Sequence, residues 1–412
     1  MIQEDQSKTY QFLVEYLDYL DRFVANNTLR LYQFVIISGL PLPPLAVDGI
    51  VYNFIGSKVG SGLNCLYYKE TSDPGVNDLR CRCLCIQSSL VSTAYSLQKG
   101  ELQWCVTDEV EQLLVISTQA KNHTVILHTG HLNSAHFLWN QLGACLELRR
   151  LLPNALSVFQ EADTILCLSK VPGFNLVSKV EADQSHSLYA GGLVVTDEAR
   201  GLVLSCIQPN SPVVGMPSGR HRILLTIRGG RTRSLINEVD FYHELINRVQ
   251  QRFDCCFALA GFVRQHNYTE MQSWPIADED ECSKSISQIA KLFPSIKFEI
   301  LHDIGIDEFV EVCSSLSYYI SYEGTMHHRI NWLYPHIPST LISFSGAPPS
   351  CVARWHQFNS GRPSAIHYLE QSAYSLDQSF SDQPSRNLRA SMVDVCSSSE
   401  NILQEILRCL AE

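Results

Sequence analysis

Apolar side chains at helical spacing over residues 8–25 (Phe12, Leu13, Tyr16, Leu17, Leu20 and Phe23) predict an amphipathic opening helix. From about 32 to 120 the apolar runs shorten to strand length: YQFVIIS, GIVYNFIG, CLYYKE, the alternating LRCRCLCIQ, LQWCVT and LLVIS, with Gly, Pro, Ser and Asn between them. That pattern predicts a β-rich first part. It changes at HTVILHTG, a strand ending in a glycine loop. A helix from about Ser134 to Leu152 and a strand TILCLS at 164–169 follow, completing a parallel strand, helix, strand unit.

The loop QPNSPVVGMPSGR (208–220), rich in Pro, Ser and Gly, reads as an interdomain linker. Beyond it the alternation is regular. Strand RILLTIR (222–228) leads to a helix from Asn237, then come strand FDCCFALAGF, a helix over 281–292, strand IKFEIL, a helix from Asp307 to Ser315, strand YYISY, a further helix and strand STLISFS. Five strands with intervening helices predict an open, doubly wound parallel sheet of Rossmann type, whose ligands sit at the carboxyl ends of the strands. The segment 346–398 is polar and reads mainly as loop, and Glu400 to Leu410 as a last helix. The expected domains are therefore an N-terminal α/β domain over 1–212, a Rossmann-like domain over 213–345 and a loop-rich tail with a terminal helix over 346–412.

Composition narrows the classes. A chain of 412 residues, 45% hydrophobic and 18% charged, is long enough for more than one core. Its formal net charge of −11 argues against nucleic acid as a partner. No apolar run reaches the roughly 18 residues of a membrane span, and the start MIQEDQSKTY lacks the basic and apolar regions of a secretory signal, so a cytoplasmic protein with at most peripheral membrane contact is expected. The 15 cysteines lie largely within apolar or alternating runs and include no CxxC pair, which reads as small hydrophobes and no structural metal.

Candidate chemistry gathers where strands give way to helices. In IRGGRTRSLINE, Arg228, Arg231 and Arg233 surround two glycines ahead of a helix capped near Asn237. Guanidinium forks bind phosphate oxygens bidentately, and glycine lets backbone amides approach the same anion, so this junction suits a diphosphate; the competing reading is a solvated turn. It contains neither GxGxxG nor a Walker lysine motif. In SYEGTMHHRINWLYP, Gly324 and Thr325 open a helix whose first-turn amides and hydroxyl can face a phosphate, Glu323 can accept from ribose or sugar hydroxyls, and His328 or His327 can add contacts or simply pack. In HTGHLNSAHFLWNQL, His128, His131 and His136 crowd a strand end. No carboxylate at matching spacing favours a metal there, whereas a histidine at this junction suits a general base; the competing reading for any one of the three is a structural histidine bonded to backbone.

Together the segments SAHFLWNQLGACLELRRLL, RGGRTRSLINE and ISYEGTMHHRINWLYP resemble family-61 glycosyltransferases and, more broadly, inverting enzymes of the GT-B fold. The likeness covers mainly residues 125–152 and 222–345. Glu323-Gly324-Thr325 stands where His-Gly-Ala is commoner, and 264–280 reads as an insertion. The resemblance implies two Rossmann-like domains facing a cleft. It implies transfer of a sugar from a nucleoside-diphosphate donor to a saccharide, lipid-linked or protein hydroxyl, with inversion, no cofactor and no essential metal, in surface polysaccharide or glycoconjugate synthesis. Under it Arg228, Arg231, Arg233, Asn237, Glu323, Gly324, Thr325 and His328 form the donor site, and His136 or His131 is the base. A sugar-nucleotide epimerase and a non-catalytic carbohydrate-binding or scaffold protein are the rival expectations.

Overall fold

The computed structural model describes residues 45–47, 50–60, 63–70, 83–89, 125–129, 137–151, 156–161, 165–183, 185–189, 195–206, 220–229, 234–264, 276–343, 362, 365–369, 371–376 and 390–410. The expected opening helix, the runs LQWCVT and LLVIS, and all of the expected linker except Arg220 lie outside the described residues. The chain divides into two compact units, 1–199 and 200–412.

The first unit opens with an antiparallel meander, β1 (Leu45–Val47), β2 (Ile50–Gly60), β3 (Leu63–Glu70) and β4 (Cys83–Ser89), paired in that order. Next come β5 (Val125–Thr129), a π-helical turn (Phe137–Leu142), α1 (Gly143–Leu151), β6 (Leu156–Gln160), β7 (Phe174–Leu176), α2 (Lys179–Asp183) and β8 (His186–Tyr189). Strands β5 to β8 pair in parallel in the order β7-β6-β5-β8. The strand after the helix is thus Leu156–Gln160, not the expected TILCLS. Ile165, Leu166 and Leu168 are buried, but their backbone is held by a side chain rather than a ladder: Gln160 donates from Nε2 to Leu166 O at 2.7 Å and accepts from Leu168 N–H at 2.8 Å. An apolar run reports burial, and here burial without pairing. Helix α3 (Asp197–Cys206) leads into the second unit.

The second unit contains β9 (His221–Thr226), α4 (Glu238–Gln250), β10 (Cys255–Ala260), β11 (Val263–Arg264), α5 (Ile276–Leu292), β12 (Glu299–Leu301), β13 (Ile304–Gly305), α6 (Ile306–Cys313), β14 (Tyr318–Tyr322), α7 (Thr325–Leu333), β15 (Ser339–Ile342), β16 (Ile366–Tyr368), β17 (Tyr374–Leu376), β18 (Ala390–Met392) and α8 (Val395–Leu410). Its main sheet is six-stranded and parallel throughout, in the order β12-β10-β9-β14-β15-β16. Numbered within the sheet this is 3-2-1-4-5-6, the Rossmann order. Both faces are covered, which is why β9 and β14 read as continuous apolar runs rather than alternating ones. Ile223, Leu225, Ile227, Phe257, Leu259, Tyr318, Ile320 and Tyr322 face a core shared with α4, α5 and α8, while Leu224, Ala258 and Tyr319 are buried on the other side.

The tail differs most from expectation. Ile366–Tyr368 supplies a sixth strand beside β15, and β17 and β18 pair antiparallel. Helix α8 buries Ile402, Leu403 and Ile406 in the second unit's core, side chains worth about 1.5–3 kcal/mol each on full burial, and Arg248 of α4 reaches its Glu400 at 2.6 Å. A three-residue strand in a polar context carries too few apolar positions to show periodicity.

Candidate functional site at a strand-order switch

Strands β9 and β14 are neighbours, with Leu225 paired to Ile320, yet the chain leaves them in opposite directions: β9 leads towards β10 and β14 towards β15. Their carboxyl ends define the crevice where open α/β sheets bind ligands. The pairing is extended by side chains, because Tyr322 N–H donates to Thr226 Oγ1 at 3.3 Å and that hydroxyl donates to Ser321 Oγ at 3.2 Å. The two junctions singled out in the sequence, after Ile227 and after Tyr322, therefore leave adjacent strands at one end of the sheet.

The β14 junction is built on glycine. Gly324 has φ 147° and ψ −166°, a region essentially restricted to glycine, and it is the N-cap residue of α7. His328 N–H is the first in the helix to find a carbonyl four residues back, at Gly324 O, 3.0 Å away. The amides of 325–327 thus belong to the amino end, where partial positive charge favours an anion. Glu323 accepts a hydrogen bond from Ser343 Oγ at 2.5 Å, which holds its carboxylate at the carboxyl end of β15. His328 lies stacked on Trp332 at 4.5 Å between ring centroids, and His327 is fully buried with Nδ1 3.2 Å from Tyr319 Oη. The latter is a packed histidine.

The β9 junction is organised differently from the sequence-based expectation. The Arg228 and Gly229 amides do not wait for a ligand: both donate at 3.0 Å to the chain's own Glu238, to Oε1 and Oε2 respectively. Tyr322 Oη adds a third donation to Oε1 at 2.6 Å. Glu238, the first residue of α4, is only 3% exposed. Burial pushes its pKa up, and the three donors together with the Arg228 charge oppose that push. Arg228 is half-buried, while Arg231 and Arg233 lie outside the described residues. Asn237 is committed to the fold, its amide exchanging two hydrogen bonds with the Met392 backbone at 3.0 and 2.8 Å.

In the first unit β5 and β8 stand in the same relationship, a central strand beside the first strand across the reversal of order. Of the three histidines only His128 is described; His131 and His136 lie outside. The His128 ring meets Phe159 and Tyr189 edge-on at 5.1 and 5.7 Å. Burial lowers its pKa from 6.5 to about 4 against the opposing charge of Asp183, and its buried Nε2 has no hydrogen-bond partner among the described residues. Thr129 donates to Gln141 in the π-helical turn at 3.2 Å, tying the strand end to the following helix. Sequence reasoning passed over Glu238, Tyr322 and Ser343. A glutamate in the first turn of a helix marks a favourable helix start and carries no sign of a buried partner. Among the described residues no three His, Cys, Asp or Glu side chains are grouped so as to hold a metal, and no helix is long and apolar enough to cross a membrane.

No protein-family model matches the chain, and no curated protein does. Similar solved structures include the E. coli heptosyltransferase WaaC with ADP-2-deoxy-2-fluoro heptose, at 9% identity over 68% of this chain and 99% of that one, TM-score 0.37. UDP-GlcNAc 2-epimerase from Neisseria meningitidis bound to UDP-GlcNAc gives 11% identity over 73% and 74%, TM-score 0.28, and OtsA in its apo form 10% over 76% and 77%, TM-score 0.31. Similarity this low carries no functional weight, so the functional reading rests on the residues themselves.

Proposed function

We propose that the chain is an inverting glycosyltransferase that moves a sugar from a nucleoside-diphosphate donor to a hydroxyl acceptor. The observation that carries the reading is that a glycine-capped helix start, Gly324 and Thr325 of α7, and the Arg228 loop follow neighbouring strands at the reversal of strand order in the second sheet. Helix-end amides and guanidinium groups, with Arg231 and Arg233 completing the set, neutralise a diphosphate both bound and as it departs with developing charge. Glu323 accepts from ribose or sugar hydroxyls. The acceptor hydroxyl gives its proton to His136 or His131, a side chain whose ordinary pKa suits a general base, as the donor's anomeric bond to the diphosphate breaks and the new glycosidic bond forms from the opposite face. No metal is required where fixed cations perform the neutralisation. A cytoplasmic enzyme serving surface-glycan or glycoconjugate synthesis fits this reading.

Calorimetric titration of the full chain with UDP, GDP, ADP and CMP tests it. One nucleoside diphosphate should bind, and Arg228→Ala should weaken that binding by about 1.5–3 kcal/mol, the worth of a hydrogen bond to a charged group. Binding of none of the four would remove the transferase and the epimerase together. A second reading has one observation behind it: Asn237 and Glu238, both within the arginine-rich motif, are spent on holding the fold. Diphosphate binding without transfer to any acceptor would select that non-catalytic role.

A further inference from the structure

Two successive backbone amides converging on one point form a concavity that binds anions. At residues 228 and 229 this concavity is already filled from within, by both oxygens of one carboxylate. Among the described residues Glu238 meets two backbone N–H donors and the Tyr322 hydroxyl, an arrangement that the ionised group satisfies with all three donating to it. Its place at the amino end of α4 favours the same charge. On its other side the loop has no slack. Gly229 has φ 54°, and a Cβ there would stand 2.5 Å from Glu281 O and 2.6 Å from Cys282 N in α5. The Arg228 backbone is thus held between a buried anion and the backbone of a helix.

We infer that Glu238 is a positioning residue for the donor site: its carboxylate occupies the 228–229 amides as an internal anion, fixes the loop that carries Arg228, and closes those amides to the donor. The inference rests on the reading of this crevice as a nucleoside-diphosphate site and makes it more specific. The donor's phosphates then meet the amino end of α7 and the Arg228 side chain, and not the 228–229 backbone. Tyr322 joins the two junctions, since it ends β14, immediately before Glu323 and Gly324, and donates to the carboxylate that sets the β9 loop.

The test follows amide exchange and chemical shifts in the isotope-labelled full chain, titrated with UDP, GDP, ADP and CMP. In the wild type the Arg228 and Gly229 amides should exchange slowly and stay in place when a nucleotide binds, while those of Thr325 and Met326 move. Glu238→Gln should speed exchange at 228 and 229 about tenfold and weaken the nucleotide about tenfold, through KM for the donor more than through kcat. Formate should restore part of both in Glu238→Ala, a rescue that loss of packing alone does not give. Should Glu238→Gln fail to fold, Tyr322→Phe and the wild-type shifts decide the matter. Fast exchange at 228 and 229 in the wild type, movement of those amides on nucleotide binding, or a Glu238→Gln chain that binds as tightly as the wild type would each overturn the inference. Slow amides in a chain that binds no nucleotide would instead sink the donor-site reading, and the positioning role with it.

Discussion

Tyr322, the last residue of β14, donates its hydroxyl at 2.6 Å to Glu238, the first residue of α4, and so couples the two strand ends between which the sheet reverses its order. The bond is buried at both ends, with Tyr322 2% and Glu238 3% exposed. Tyr322→Phe removes one of three donors to a buried carboxylate without removing the ring. A loss of about 1–3 kcal/mol in urea unfolding is expected, with the m-value unchanged.

Three glycines separate strain from space. Gly229 combines a positive φ with backbone atoms of α5 in the way of any Cβ, so Gly229→Ala should destabilise by more than about 1 kcal/mol. Gly201 lies within α3 and Gly305 at the start of α6, both with open space around a Cβ. Gly201→Ala should therefore stabilise the chain by about 0.5–1 kcal/mol, and Gly305→Ala should change little. Thermal midpoints of the three variants, measured side by side, check the order.

His128 sets a pH dependence whose sign is fixed by burial. Its folded pKa of about 4 lies below the unfolded 6.5, so between those values the unfolded chain binds more protons and stability falls as pH falls. Above pH 6.5 both states are neutral at this residue and the effect vanishes. The full window corresponds to about 3 kcal/mol at most, reduced by the ring's partial contact with water. His128→Gln should flatten this part of the stability profile, read as the difference between the two chains' unfolding free energies from pH 7 to pH 4.

The base assignment has a kinetic signature. His136→Ala should lower turnover by about 10²-fold or more while leaving nucleotide affinity nearly intact. Equal turnover in the variant and the wild type would transfer the role to His131 or out of this segment.

What the sequence made legible follows from how local each signal is. The first five strands of the second sheet and the helices between them were visible because continuous apolar runs such as RILLTIR and YYISY, set between helical segments, suit a doubly covered parallel sheet. Gly324 was visible as a strand-to-helix junction, and its glycine-only dihedrals give the physical reason. By contrast, the partner of the Arg228 and Gly229 amides lies ten and nine residues on, respectively, and nothing in RGGRTRSLINE distinguishes a glutamate that points to water from one that turns back under the loop. Strand β16 was hidden for a related reason: Ile366–Tyr368 is a strand only because β15 offers an unpaired edge, a property of the partner and not of the segment. TILCLS showed the converse, apolar enough for a strand but satisfied by the Gln160 side chain.

The central claim is that a diphosphate seats against the amino end of α7, beside the Arg228 loop. Crystals of the full chain soaked with the nucleoside diphosphate that binds in solution would show this directly. The expected density places a phosphate within about 3 Å of the Thr325 or Met326 amide nitrogen and in reach of the Arg228 guanidinium. A nucleotide bound at the β5 and β8 strand ends instead, or one whose phosphates leave α7 untouched, would contradict the account.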